Sequence, residues 1–171
     1  FTMIEWYRMG FTLQMIIDET LELFELFLGP QKPLFISYRE LFLRYAGFDP
    51  FNVTALDLHP TWSLDTSLDY QMSFKIQPQM KGLFVIHGFP PSQAALARLT
   101  QDGPRTVAER CEIYFNGLEL ANGFHELTDP HEQRLRFEND IKERAALGKP
   151  TLPIDEAFLE ALKKGLPDCS G

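Results

Sequence analysis

The chain has 171 residues, of which 44% are apolar and 15 are phenylalanine, and it carries a formal charge of −8. That is the length of one domain with ample core material, which leaves no reason to invoke disorder. The acidic balance disfavours a surface that neutralises many phosphates by itself, and no run approaches the roughly 20 apolar residues that span a bilayer.

The first residues, FTMIEWYRMG, lack the basic, apolar and small-residue order of a signal peptide. Only Cys111 and Cys169 are present, at no metal-ligand spacing, so the chain reads as a cytoplasmic protein with free, inert thiols.

Phe1 to Arg8 is aromatic and β-branched without a breaker, and predicts a strand with Phe1, Met3, Glu5 and Tyr7 on one face. From Phe11 to Leu28 the residues Leu13, Ile16, Ile17, Leu21, Phe24 and Leu28 recur at helical spacing, and Gly29 with Pro30 ends that helix. Ser37 and Glu40 form a capping box for a helix over 38–46, stopped by Gly47. Residues 48–82, divided by Pro50, Pro60 and Pro78, predict mixed short helix and loop. Leu83 to Phe89 is a compact apolar run closed by Pro90 and Pro91, and predicts a buried strand. A short helical turn over 92–99 and a loop over 100–105 follow.

Residues 111–115 and 118–121 flank Asn116 and Gly117, the strongest short-range hairpin signal. A two-residue turn there pairs Phe115 with Leu118, Tyr114 with Glu119 and Glu112 with Ala121. Glu112 and Glu119 then share one face as diagonal neighbours, about 7–8 Å apart along the ladder. Two such carboxylates either lie on a solvated face or share a hard cation such as Mg2+, which takes oxygens from one or two carboxylates and from substrate phosphates.

Asn122, Phe124 and Glu126 alternate beyond this pair. They supply the parts of an ammonium-binding pocket, or equally an irregular strand end with a polar rim. Glu119 and Asn122 differ in parity, so placing both at one site requires a bulge, which Gly123 would enable.

Thr128, Asp129 and Pro130 start a helix with Phe137, Ile141 and Ala145 on one face, ending near Gly148, and Asp155 caps a last helix over 156–164. The four histidines form no cluster at metal spacing, and no nucleophile elbow, Walker or Rossmann glycine loop is present. Strands and helices without a regular βαβ alternation predict an α+β domain on an antiparallel sheet.

Residues 111–137, CEIYFNGLELANGFHELTDPHEQRLRF, resemble the class IIb lysyl-tRNA synthetase segment around its Glu-x-x-Asn-Gly-Phe-x-Glu signature. FTMIEWY resembles the returning strand of that family's second class-defining motif, and DCSG the approach to the third. The resemblance covers most of the chain and implies one partial catalytic domain over 1–171. Its expected form is a class II aminoacyl-tRNA synthetase-like antiparallel sheet flanked by helices, in a homodimer.

The activity so implied is that of an ATP-dependent, adenylate-forming ligase. Mg2+ and the ATP phosphates fall to Glu112 and Glu119, and the nucleotide passes beside the backbone of Leu120. The amino acid falls to Glu5, Tyr7, Asn122, Phe124 and Glu126, with carboxylates recognising substrate ammonium groups.

Residues 89–97, FPPSQAALA, depart from the Ser-Pro-Leu-Ala pattern of the tRNA-charging enzymes. They resemble the branch of the family that attaches (R)-β-lysine to a lysine side chain of elongation factor P. Ala121 and His125, where glycine and serine are usual, point the same way, the extra methyl reshaping a tight pocket. Two alternatives stay open: a lysyl-tRNA synthetase, which acts on tRNA and needs an anticodon-binding domain, and a non-catalytic synthetase-like binding module. The resemblance begins inside the second motif and ends before the arginine-bearing third, so the 171 residues alone are expected not to form adenylate.

Overall fold

The computed structural model describes the backbone of residues 1–171 and every side chain except that of Leu56. Residues 1–7 join no sheet, and of the strand expected over 1–8 only its last residue enters one, in β1 (Arg8–Met9). Alternation can assign faces, but a strand also needs a hydrogen-bonded neighbour, and among these residues only Arg8 and Met9 meet one, in Ser170 and Cys169.

Helix α1 (Leu13–Leu28) starts at Thr12, whose side chain accepts from the Met15 amide, and ends at Gly29 as expected. A short strand not foreseen, β2 (Leu34–Ser37), runs directly into α2 (Tyr38–Tyr45), where the Ser37 and Glu40 capping box is formed. Between 48 and 82 lie α3 (Ala55–Leu58), α4 (Leu64–Gln71), a π-helical turn at Met72–Ile76 and a 3₁₀ turn at Gln77–Gln79, the predicted mixture.

Strand β3 (Leu83–Phe89) is buried along most of its length. The helical turn expected over 92–99 is shorter, a single 3₁₀ turn at Pro91–Gln93, because Ala95 takes a positive φ of 50° and Leu99 already begins β4 (Leu99–Asp102). The loop expected over 100–105 is instead the tip of a hairpin between β4 and β5 (Arg105–Phe115), with Asp102 opposite Arg105. All four β4 residues are exposed, so no apolar alternation marked it. Next come β6 (Leu118–Phe124), α5 (Pro130–Ala146), α6 (Glu156–Lys163) and β7 (Cys169–Ser170), with Asp129 and Asp155 capping the two helices.

The main sheet runs β2, β3, β5, with both β4 and β6 paired to β5; it is antiparallel except that β2 and β3 run parallel. This is the α+β architecture expected, with one parallel strand added. Ile17, Leu13, Leu21 and Phe24 of α1 cover one face at Val85, Cys111 and Ile113. The other face carries the larger core, in which Tyr38 stacks on Phe42 at 4.6 Å and meets Phe89 at a tilt, 4.8 Å away. Cys111 and Cys169 are buried free thiols, and burial pushes that of Cys111 up to about 12. Among the described residues no helix is long and apolar enough to cross a membrane.

The hairpin between β5 and β6 turns as predicted, with Asn116 at φ 50° and Gly117 at φ 82°. A Cβ at Gly117 would lie 2.6 Å from the Gln77 carbonyl oxygen. Gly117→Ala is therefore expected to cost about 2–4 kcal/mol, read as a lower thermal midpoint.

Candidate active site

Around this turn Phe115 pairs with Leu118 and Tyr114 with Glu119, as predicted, but the register then shifts. Ile113 faces Ala121 and Glu112 faces Asn122, so Leu120 is the extra residue of a bulge. The pairing of Glu112 with Ala121 is corrected accordingly. A bulge was required, but it lies at Leu120 rather than at Gly123. Its effect is to cancel the parity difference. Three cross-strand pairs, Tyr114 with Glu119, Glu112 with Asn122, and Arg110 with Phe124, now share one face.

On that face the Tyr114 hydroxyl donates to Glu112 at 2.7 Å and lies 3.4 Å from Glu119. Burial, and then the neighbouring Glu112, hold the Glu119 carboxyl above the usual carboxylate range. Both carboxylates line a cleft of about 600 Å³, together with Asp65, Asp69, Asp140 and Glu143 against the two cations Arg110 and Arg136. Lined in this way, the cleft repels a bare polyphosphate.

A divalent cation held by Glu112 and Glu119 would remove their repulsion. Among the described residues no third His, Cys, Asp or Glu completes an all-protein cage. Two carboxylates with open positions suit Mg2+, which keeps waters or takes substrate phosphates for the rest of its shell.

Arg110 sits at the centre of the face. Its Nη2 donates to Glu112, its Nη1 to the Gln93 carbonyl at 2.6 Å and its Nε to the Asn122 side-chain oxygen at 3.2 Å. The guanidinium carbon lies 4.6 Å from the centre of the Phe89 ring and 5.9 Å from that of Phe124. Gln93 is fixed in turn by its side-chain amide, which donates to Asp69 at 3.1 Å, while Ser92 donates to Asp65 at 2.8 Å.

Glu126 continues the same face two residues past Phe124, and residues 169–171 run beside it. The Phe124 amide donates to the Gly171 carbonyl at 2.8 Å, and the Glu126 amide to that of Cys169 at 3.0 Å. Tyr7 packs its ring against Gly171, where any side chain would collide with it. The Tyr7 hydroxyl donates to Glu5, and that bond, burial and the charges of Glu5 and Glu126 push it up to about 12. Glu126 is 8% exposed; burial first, and then Glu5, raise its carboxyl to about 7. Glu5 and Glu126 are thus two acidic groups gathered with the neutral Tyr7 phenol.

The site residues expected from sequence fall into two groups. Glu112 and Glu119 line the cleft, with Leu120 on the adjoining bulge; Glu5, Tyr7 and Glu126 gather beside residues 169–171. Asn122 and Phe124 lie between the groups and reach the first through Arg110. Arg110 and Tyr114 were missed, although each stands two residues from Glu112 and so shares its face. Asp65 and Asp69 come from a stretch without readable period.

Ala121 and His125 point away from the site, which corrects the expectation that the Ala121 methyl reshapes the pocket. Ala121 packs on the α1 side of the sheet with Ile113. His125 bonds Glu109 through Nδ1 at 2.7 Å and Asp168 through Nε2 at 3.0 Å, clamping residues 124–126 to their neighbours. Of the three features that separate the two branches, the segment around 89–97 is the one that lines the cleft.

A family model described as tRNA synthetases class II (D, K and N) matches residues 9–171.

Proposed function

The chain belongs to the class II tRNA synthetases of the D, K and N group, and from that premise we propose that it activates a lysine-type amino acid as its adenylate. The substrate in this reading is (R)-β-lysine, and the acceptor is a lysine side chain of elongation factor P. Members of this family are ATP-dependent, adenylate-forming ligases that generally use Mg2+.

The observation that carries the choice of amino acid is the gathering of Glu5, Tyr7 and Glu126 at residues 169–171, where the Tyr7 hydroxyl meets Glu5, its ring packs on Gly171 and the Glu126 amide donates to the Cys169 carbonyl. An aspartate or asparagine side chain brings no cation to it, whereas a lysine-type side chain brings an ammonium group that both carboxylates can accept from. Asn122 and Phe124 complete this subsite, and Glu112 and Glu119 hold the metal–nucleotide. The backbone at Leu120, displaced by the bulge, passes beside the nucleotide.

When bound, Mg2+ supplies neutralisation of phosphate charge. The residues of this chain orient the reactants. An oxygen of the substrate carboxylate attacks the α-phosphorus, and the bond to pyrophosphate breaks. The acceptor amine then attacks the acyl carbon and AMP leaves. Glu126 and Glu5 keep the substrate ammonium out of this chemistry by holding it at a distance from the phosphate.

The segment around 89–97 supports the β-lysine reading by its sequence alone, because its residues 91–95 line the cleft with Glu112 and Glu119 rather than the group around Glu126. Ala121 and His125 make no contribution to the pocket and so favour neither that reading nor the tRNA-charging alternative. ATP–pyrophosphate exchange by the intact protein decides between them. (R)-β-lysine should support exchange at least tenfold better than α-lysine, and both should exceed aspartate and asparagine. Preference for α-lysine would make the protein a lysyl-tRNA synthetase, and preference for aspartate or asparagine would overturn the role given to Glu126.

A further inference from the structure

Arg110 touches both halves of the site. It donates to the proposed metal-binding Glu112 on one side and to the proposed amino-acid-binding Asn122 on the other, while its third direction is taken by the Gln93 carbonyl. A guanidinium presents its donors in one rigid plane, and Phe89 at 4.6 Å fixes where that plane lies. Three of its donors, one on each nitrogen, are committed to protein acceptors, so Arg110 holds its protein neighbours whatever else lies in the cleft. Its side chain is 16% exposed and that of Glu112 9%, so a turn of one carboxylate moves a tightly held neighbour.

We propose that Arg110 is a positioning residue that couples the metal–nucleotide subsite to the amino-acid subsite, so that filling either one tightens the other. The inference rests on the reading that Glu112 holds the metal and Asn122 meets the amino acid. A cation on Glu112 fixes the carboxylate in one orientation, the guanidinium follows, and Asn122 is held where the substrate meets it. Linkage makes the effect reciprocal: the factor by which Mg·ATP tightens the amino acid is the factor by which the amino acid tightens Mg·ATP. Lysine at 110 preserves the charge and can reach Glu112, but one ammonium centre cannot hold three acceptors in a plane.

The test is the equilibrium affinity of the intact protein for the amino acid, measured by calorimetry without nucleotide and with saturating Mg2+ and a non-hydrolysable ATP analogue. The parent should bind the amino acid at least fivefold more tightly with the analogue present. In Arg110→Lys that ratio should fall to within twofold of one. Asn122→Ala cuts the same link at its exposed end, where misfolding is least expected, and should collapse the ratio too. Glu126→Gln should weaken the amino acid equally with and without nucleotide and so keep the ratio.

Uniform weakening with the ratio preserved in Arg110→Lys and Asn122→Ala would make Arg110 a structural brace and overturn the coupling. So would a ratio of one in the parent. If instead the parent shows no Mg2+-dependent exchange with any amino acid, the functional reading itself fails, and the coupling with it.

Discussion

Replacing Glu126 by glutamine should raise the KM for the amino acid about a hundredfold, the loss of a charge-assisted bond worth about 3 kcal/mol. Glutamine keeps the shape and the backbone bond to Cys169, so the fold should survive. Aspartate or asparagine added as substrate should gain nothing from the change if the site was built for an ammonium.

A second signature of Glu126 lies in pH. Its carboxyl is raised from 4.5 to about 7, chiefly by burial and then by Glu5. Between those values the folded protein holds a proton that the unfolded chain has lost. Stability contributed by the neutral carboxyl is therefore complete below pH 4.5 and is lost as the pH rises through 7. Ammonium binding runs the other way, because it needs the carboxylate: kcat/KM for the amino acid should climb up to tenfold per pH unit below 7 and level off above it. In Glu126→Gln both slopes assigned to this group should flatten. A pH–rate profile and thermal melts at pH 5, 6 and 7 measure the two together.

Much of the fold was legible in the sequence because local chemistry decided it. The capping box at Ser37, the stop at Gly29 and the turn at Asn116 and Gly117 are chosen by backbone groups within a few residues. The hairpin register was legible only as far as that turn controls it. Leu120 carries no bulge signal; a bulge there lets Ala121 bury against α1 while Glu119 and Asn122 face the other way, a tertiary reason.

Other elements left no periodic trace. β2 is four residues long and pairs in parallel with a strand far along the chain, and β4 is exposed throughout. The candidate site was legible in its residue types, since alternation put Glu112 with Glu119 and Phe124 with Glu126. How Glu5 and Tyr7 come near Glu126 was not, because the Tyr7 ring packs on Gly171 while backbone bonds tie residues 169–171 to Phe124 and Glu126.

Glu119→Gln should abolish most Mg2+-dependent exchange, a loss on the order of 10²–10³ in kcat/KM, while making the metal-free protein slightly more stable. The carboxyl of Glu119 is held above its usual range by burial and by Glu112, so in the absence of a cation it is a source of strain. Removing one like charge from the ladder relieves about 0.2–1 kcal/mol.

Glu112→Gln should cost a similar factor in activity with the opposite effect on stability, because it leaves Arg110 beside a neutral partner in a nearly buried pair, at about 1–3 kcal/mol. Two carboxylates on a merely solvated face would give neither pattern: both substitutions would be near neutral in the melt and silent in Mg2+ dependence. A common loss of Mg2+-dependent exchange is what a shared cation demands, whereas the opposite signs in stability report the metal-free contacts of Glu112 with Arg110 and of the two carboxylates with each other. Thermal melts with and without Mg2+, set beside the Mg2+ concentration for half-maximal exchange, measure both.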